Sequence, residues 1–231
     1  MNLRKNLTST FLFFMLFPVV IKYSKVEANP SNTCNKTTVN HIHTILKSGE
    51  NSINHEEQGF TVVIQKFKQG LEIYQNHNCK YPLFKSALYF GLAHAYLKSN
   101  EYEEAEKYSQ QFLQTIKTKD QPFQFMETYN VLGKVYNATC DYDNAVIYHN
   151  QQLELAQKYE GYLSFHPANN TNSNKFRIYK NIAHALINLG VTNLDQDDLI
   201  TAEKQFIQAE QYIFHFINIL FSLNKLFFRS N

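Results

Sequence analysis

The sequence predicts an all-α fold, an α-solenoid of stacked antiparallel helix pairs. Three observations predict it. The 231 residues include only 7 Gly and 5 Pro, too few for the hairpins of a turn-dense all-β fold. The middle of the chain repeats itself with a period of 40 residues, Pro82 falling on Pro122 and Tyr102 on Tyr142; fixed-period self-similarity marks a repeat architecture. Within each repeat, apolar residues recur at spacings of three and four in two runs divided by a short polar break, the pattern of two helices.

From the N-terminus, residues 1–28 read as a secretory signal peptide. Arg4 and Lys5 precede an uncharged apolar run at 11–21 (FLFFMLFPVVI), and Val26-Glu27-Ala28 offers small residues where a signal peptidase cuts. The run is too short to cross a bilayer core of roughly 30 Å as a helix. The expected location is the secretory lumen or the cell exterior. An uncleaved anchor, or a cytoplasmic protein with a mispredicted start, are the alternatives. The chain carries 22 Lys and Arg against 20 Asp and Glu, and the excess belongs to the leader through Arg4, Lys5, Lys22 and Lys25. The near balance elsewhere gives no electrostatic argument for nucleic acid. An apolar content of 44% excludes a fully disordered chain.

Cys34, Cys79 and Cys140 are the three cysteines. An odd count cannot close into a full internal framework. Three unpaired thiols is the plainer reading, and one bridge with one free thiol is the other. Asn35, Asn137 and Asn169 each open an Asn-x-Thr triplet and would accept glycans in a secretory lumen.

Residues 29–80 hold a degenerate first unit: Val63, Phe67, Gly70 and Leu71 match a second helix, with residues 42–47 as partner and 48–58 as a long turn. Residues 81–120 and 121–160 are the two clearest units. The first helix of each opens at Pro82 or Pro122, where a fixed φ and a missing donor suit the first turn. Leu88, Leu92, Ala95 and Tyr96 form its stripe. After Ser99-Asn100-Glu101, or Thr139-Cys140-Asp141, a second helix carries Tyr102, Ala105, Tyr108, Phe112 and Ile116. Ala93 and Gly133 stand where the paired helices must cross closely. Residues 161–175 are expected to be an Asn-rich loop. Residues 176–212 are a looser unit, with Tyr179, Ile182, Ala183 and Leu186 on the first helix and Leu199, Ala202, Phe206 and Ala209 on the second. Its extra seven residues are assigned to a turn at 189–198.

These residues resemble the tetratricopeptide repeat. Its aromatic-Leu-Gly/Ala-Tyr pattern and following Tyr-Ala are met by Tyr89, Leu92, Ala93, Tyr96, Tyr102 and Ala105, and again by Tyr129, Leu132, Gly133, Tyr136, Tyr142 and Ala145. The 40-residue period exceeds the family's usual 34 or so and resembles the longer-helix branch of Pins-type polarity scaffolds and rapsyn. The resemblance implies a superhelix with a concave groove lined by first helices, and a non-enzymatic scaffold holding an extended peptide of a partner protein. It selects as groove residues Phe90, His94 and Lys98; Asn130, Lys134 and Asn137; and Arg177, Lys180, Asn181, His184 and Asn188. Apart from Glu127 at the edge, the set has no acid. Its cations would meet carboxylates and its amides a ligand's backbone, so an acidic partner is expected. Charge reversal at Lys134 and Lys180 together should then abolish binding without unfolding the chain.

No catalytic, cofactor or metal constellation is found. His41 and His43 stand on different helix faces, His55 has no second His four residues on, and neither G-x-S-x-G nor C-x-x-C occurs. Residues 213–231 form an apolar C-terminal helix. Three explanations stand for it: part of a longer array, a dock for a partner or second copy, or contact with a membrane surface. A secreted effector and a membrane-peripheral scaffold are thus the alternatives to a general interaction scaffold.

Overall fold

A computed structural model describes residues 34–55 and 59–227; the expected leader, residues 56–58 and residues 228–231 lie outside the described part. Among the described residues the chain is all-α. The helices are α1 (Lys36–His55), α2 (Phe60–Asn76), α3 (Pro82–Lys98), α4 (Tyr102–Thr115), α5 (Pro122–Ala138), α6 (Tyr142–Phe165), α7 (Asn172–Asp195) and α8 (Leu199–Phe227), with a short 3-10 turn at Pro167–Asn169. Each helix packs on the next, and α1 with α3, α3 with α5 and α5 with α7 also touch. Odd-numbered helices therefore form one layer and even-numbered helices the other. This is a solenoid of helix pairs.

The core is continuous from α1 to α5, around Ile42, Phe67, Leu92 and Phe112, each 0% exposed. A second cluster joins α5 to α8 through Met126, Ile178, Ile182 and Ala209. Burying one such large apolar side chain stabilises by roughly 1.5–3 kcal/mol.

Identical turns set the register of the pairs. Asn100, Cys140 and Asp197 occupy the left-handed region at φ of 61°, 61° and 62°. In each turn the following N–H reaches back to a carbonyl five residues earlier, Glu101 to Tyr96, Asp141 to Tyr136 and Asp198 to Asn193. These bonds satisfy carbonyls that the helix end leaves open. Asn and Asp tolerate the left-handed conformation; Cys140, exposed and unbridged, is the exception among the three and carries a Cβ penalty of about 1–2 kcal/mol.

Superposing the turns aligns Ala93 with Gly133 and Gly190, and Ser109 with His149 and Phe206. Side-chain size is exchanged across this crossing. A Cβ on Gly133 would run into the His149 ring, and one on Gly190 would sit 2.6 Å from Phe206 Cε1. Where the first helix has alanine, the facing helix has the small Ser109, itself 0% exposed.

Four expectations are corrected here. The third unit has no long turn: α7 continues to Asp195, and the Leu189-Gly190 step takes the place of Leu132-Gly133. The extra seven residues lengthen α7 at its start. The Asn-rich loop shrinks to residues 166–171, because α6 runs to Phe165 and α7 begins at Asn172, capped by the Thr171 side chain. Residues 48–55, expected in a turn, finish α1. The cysteines are also not all unpaired. Cys34 bridges Cys79, tying the start of α1 to the turn after α2. Closing such a loop stabilises by about 2–4 kcal/mol in the chain-entropy account.

Candidate polar groove on the first-helix layer

Helices α3, α5 and α7 present a row of polar side chains where their faces adjoin. The row follows from spacing: Glu127, Asn130, Lys134 and Asn137 recur every three or four residues and so share one stripe of α5.

Glu127 is the centre of this site rather than its edge. Its carboxylate lies 3.6 Å from Lys180 Nζ, and both side chains are only 14% exposed. Burial pushes the Glu127 carboxyl up. Lys180, then His184, His94 and Lys134, outweigh that and hold it at about 2. Burial lowers His184 to about 3, aided by Lys180, and lowers His94 to about 4 against the pull of Glu127. Both imidazoles are therefore neutral near pH 7. Burial also lowers the Lys134 ammonium, which Glu127 partly offsets.

The eleven residues selected from the sequence divide into three groups. Phe90 belongs to the core, 2% exposed and packed on His94 and Phe112. The amides are spent on holding helices together. Asn188 Nδ2 donates to Asn130 Oδ1 at 2.8 Å, and Thr192 Oγ1 donates to Asn137 Oδ1 at 2.9 Å, joining α7 to α5. Asn181, 2% exposed, accepts from Gln152 Nε2 at 3.1 Å and donates to the Arg177 carbonyl. The third group is cationic or imidazole: Lys98 is exposed, Lys134, Arg177, Lys180 and His184 are half-buried, and His94 is buried. The Arg177 guanidinium lies over Phe123, 3.7 Å from the ring centroid, a cation–π contact that fixes its direction. His94 Nε2 is buried without a hydrogen-bond partner.

Sequence reasoning missed Gln152, Thr192 and Phe123, and it misplaced Glu127. The Glu127 signal was available, since residue 127 is seven before Lys134 and hence on the same stripe. Gln152 and Thr192 carry none, because their partners are 29 and 55 residues away. No cluster of three metal-ligating side chains occurs among the described residues.

A tetratricopeptide repeat family model matches residues 87–122. No curated protein matches the chain. Among solved structures, the crystal structure of BtubC (BKLC) from P. vanneervenii is similar at 14% identity, covering 77% of this chain and 91% of that one with a TM-score of 0.40. The matched segment is one repeat of the tetratricopeptide type, and it lies within an all-α array of layered helix pairs.

Proposed function

We propose that this chain is a non-enzymatic scaffold whose first-helix layer binds an extended acidic segment of a partner protein. One observation carries the reading. Lys134, Lys180 and Arg177 gather around a single carboxylate, Glu127, and Lys98 lies beside Lys134, in a chain that is otherwise close to neutral. Cations held half-buried keep much of their field, which water would screen at the surface. The internal amide pairs make this seam stiff, so little ordering entropy opposes binding.

The Lys134/Lys180 charge reversal is a poor test. Glutamate at 180 would place a second carboxylate beside Glu127, and breaking a buried pair costs about 3–5 kcal/mol. The better variant is Lys98→Gln with Lys134→Gln, which leaves the Glu127–Lys180 pair intact. Fluorescence titration of the full chain with a labelled oligoglutamate peptide should show affinity falling by about tenfold or more, as loss of charge-assisted contacts predicts. Unchanged affinity would reject the groove assignment.

A secretory setting for the scaffold is favoured by the Cys34–Cys79 bridge, since such bonds persist in oxidising compartments. Of the three glycan acceptors, Asn35 and Asn169 are exposed, whereas Asn137 is half-buried and tied to Thr192. Glycan mapping of the chain produced by a eukaryotic secretory host should find sugar on Asn169. A bridge without any glycan there would argue against this sorting, and a chain retained in the cytosol would argue against the secretory setting itself.

A further inference from the structure

Along one line, the outer face of α8 differs from those of α4 and α6. Aligned through the shared turns, Glu103 of α4 and Asp143 of α6 correspond to Ile200. Gln110 and Asn150 correspond to Ile207, and Lys117 and Gln157 to Phe214. These six positions, five on α4 or α6 and Lys117 just past the end of α4, are polar and at least partly exposed. In α8 they are apolar and still exposed: Ile200 by 70%, Ile207 by 52% and Phe214 by 63%. Glu103, Asp143, Asn150 and Gln157 stay exposed although another helix pair follows them, while Gln110 is half-buried and donates to Tyr148 of α6. A further repeat would therefore leave most of the stripe uncovered. Exposed apolar patches of this kind mark interaction sites.

We propose that a second copy of this chain covers it, with the two α8 helices side by side and parallel. The spacing of seven puts Ile200, Ile207 and Phe214 along one line of the helix, drifting by only about 20° per step. At about 100° per residue, Glu203 and Glu210 then flank the line on one side, and Lys204, Gln211 and His215 on the other. All five are exposed.

This asymmetry selects the orientation. Two helices related by a two-fold axis along their length bring the acidic flank of one against the basic and amide flank of the other, twice. Lys204 then meets the other copy's Glu203, and Gln211 meets its Glu210, while identical stripe residues stack on each other. An antiparallel pair would set Glu203 against the second copy's Glu210 at the same height, twice, which like-charge repulsion opposes. The acidic flank also disfavours an anionic bilayer as the occupant, since surface-bound helices carry Lys and Arg on both sides of the apolar face. Three side chains a side fall short of a standard interface of about 1,600 Å², so the dimer is expected to be weak, micromolar or weaker.

The test uses the full chain with Cys140→Ser, which removes the free thiol. Analytical ultracentrifugation across a concentration series should show a monomer–dimer equilibrium. Ile207→Glu should weaken it at least tenfold with the helical circular dichroism unchanged. Lys204→Glu alone should weaken it as well, and Glu203→Lys added to that variant should restore it, an outcome no folding defect produces. Under mild oxidation, Ile200→Cys should form an interchain disulfide with itself. Cross-linking between separate Ile200→Cys and Phe214→Cys chains instead would overturn the parallel arrangement. A monomer at the highest soluble concentration, or binding to vesicles of phosphatidylserine and phosphatidylcholine without self-association, would overturn the proposal.

Discussion

Acidifying the protein from neutral to about pH 5 is expected to remove a large share of its stability, through three buried histidines. His149, His94 and His184 have folded pKa values lowered from 6.5 to about 3, 4 and 3, in each case chiefly by burial. Each is neutral in the fold and takes up a proton on unfolding at any pH between its two values. The unfolded chain then binds more protons, so stability rises with pH in this window. It is fully present above 6.5, falls as the pH drops below that, and levels off near the folded value. At about pH 5 each group costs about 2 kcal/mol, or about 6 together, against a total of roughly 5–15 for a typical domain. Glu127 acts lower, its contribution disappearing as pH falls from the unfolded value of 4.5 through about 2. Urea midpoints at several pH values check this. His149→Phe, which copies the Gly190–Phe206 crossing, should remove about a third of the dependence. A midpoint that barely moves between neutral pH and about 5 would mean that these imidazoles are hydrated.

Adding one methyl group at Gly133 is expected to cost about 1–3 kcal/mol, the usual penalty of overpacking, even though alanine favours a helix by about 1 kcal/mol over glycine. The reason is the His149 ring, 0% exposed, whose Nε2 would lie 2.6 Å from the new Cβ. A ring enclosed by a packed core has no room to swing away. Valine should cost more. The diagnostic variant is Gly133→Ala with His149→Ser, which reproduces the Ala93 and Ser109 pair of the preceding unit. The two changes should be non-additive by about 0.5–3 kcal/mol, the double mutant losing less than the sum of the singles. Thermal unfolding of the four proteins in the cycle gives this coupling. Additive losses would show that residues 133 and 149 do not share one space.

The layered architecture was legible because repeated side chains mean repeated packing. Pro82 and Pro122, the tyrosine stripes and the small residues at 93 and 133 each have a local physical cause. The third unit misled for a reason in helix geometry. Shifting a helix by seven residues nearly preserves its buried face, so Ile182-Ala183 imitated the crossing that Leu189-Gly190 makes. The polar groove was half legible. Its cations could be placed on one face from spacing, but a stripe does not reveal which amides are already used. Asn130, Asn137 and Asn181 bind residues on other helices, and such pairings exist only after folding. The Cys34–Cys79 bridge was hidden for the same reason: 45 residues separate the two thiols, and only the antiparallel return of α1 and α2 brings them together.

Hydrogen-exchange mass spectrometry of the full chain with and without an oligoglutamate peptide examines the acidic-segment groove most directly. Exchange should slow in α3, α5 and α7 on peptide addition, with α4 and α6 unchanged, and that footprint should be lost in the Lys98→Gln/Lys134→Gln chain. Protection confined to the second-helix layer, or a footprint that survives both substitutions, would contradict it.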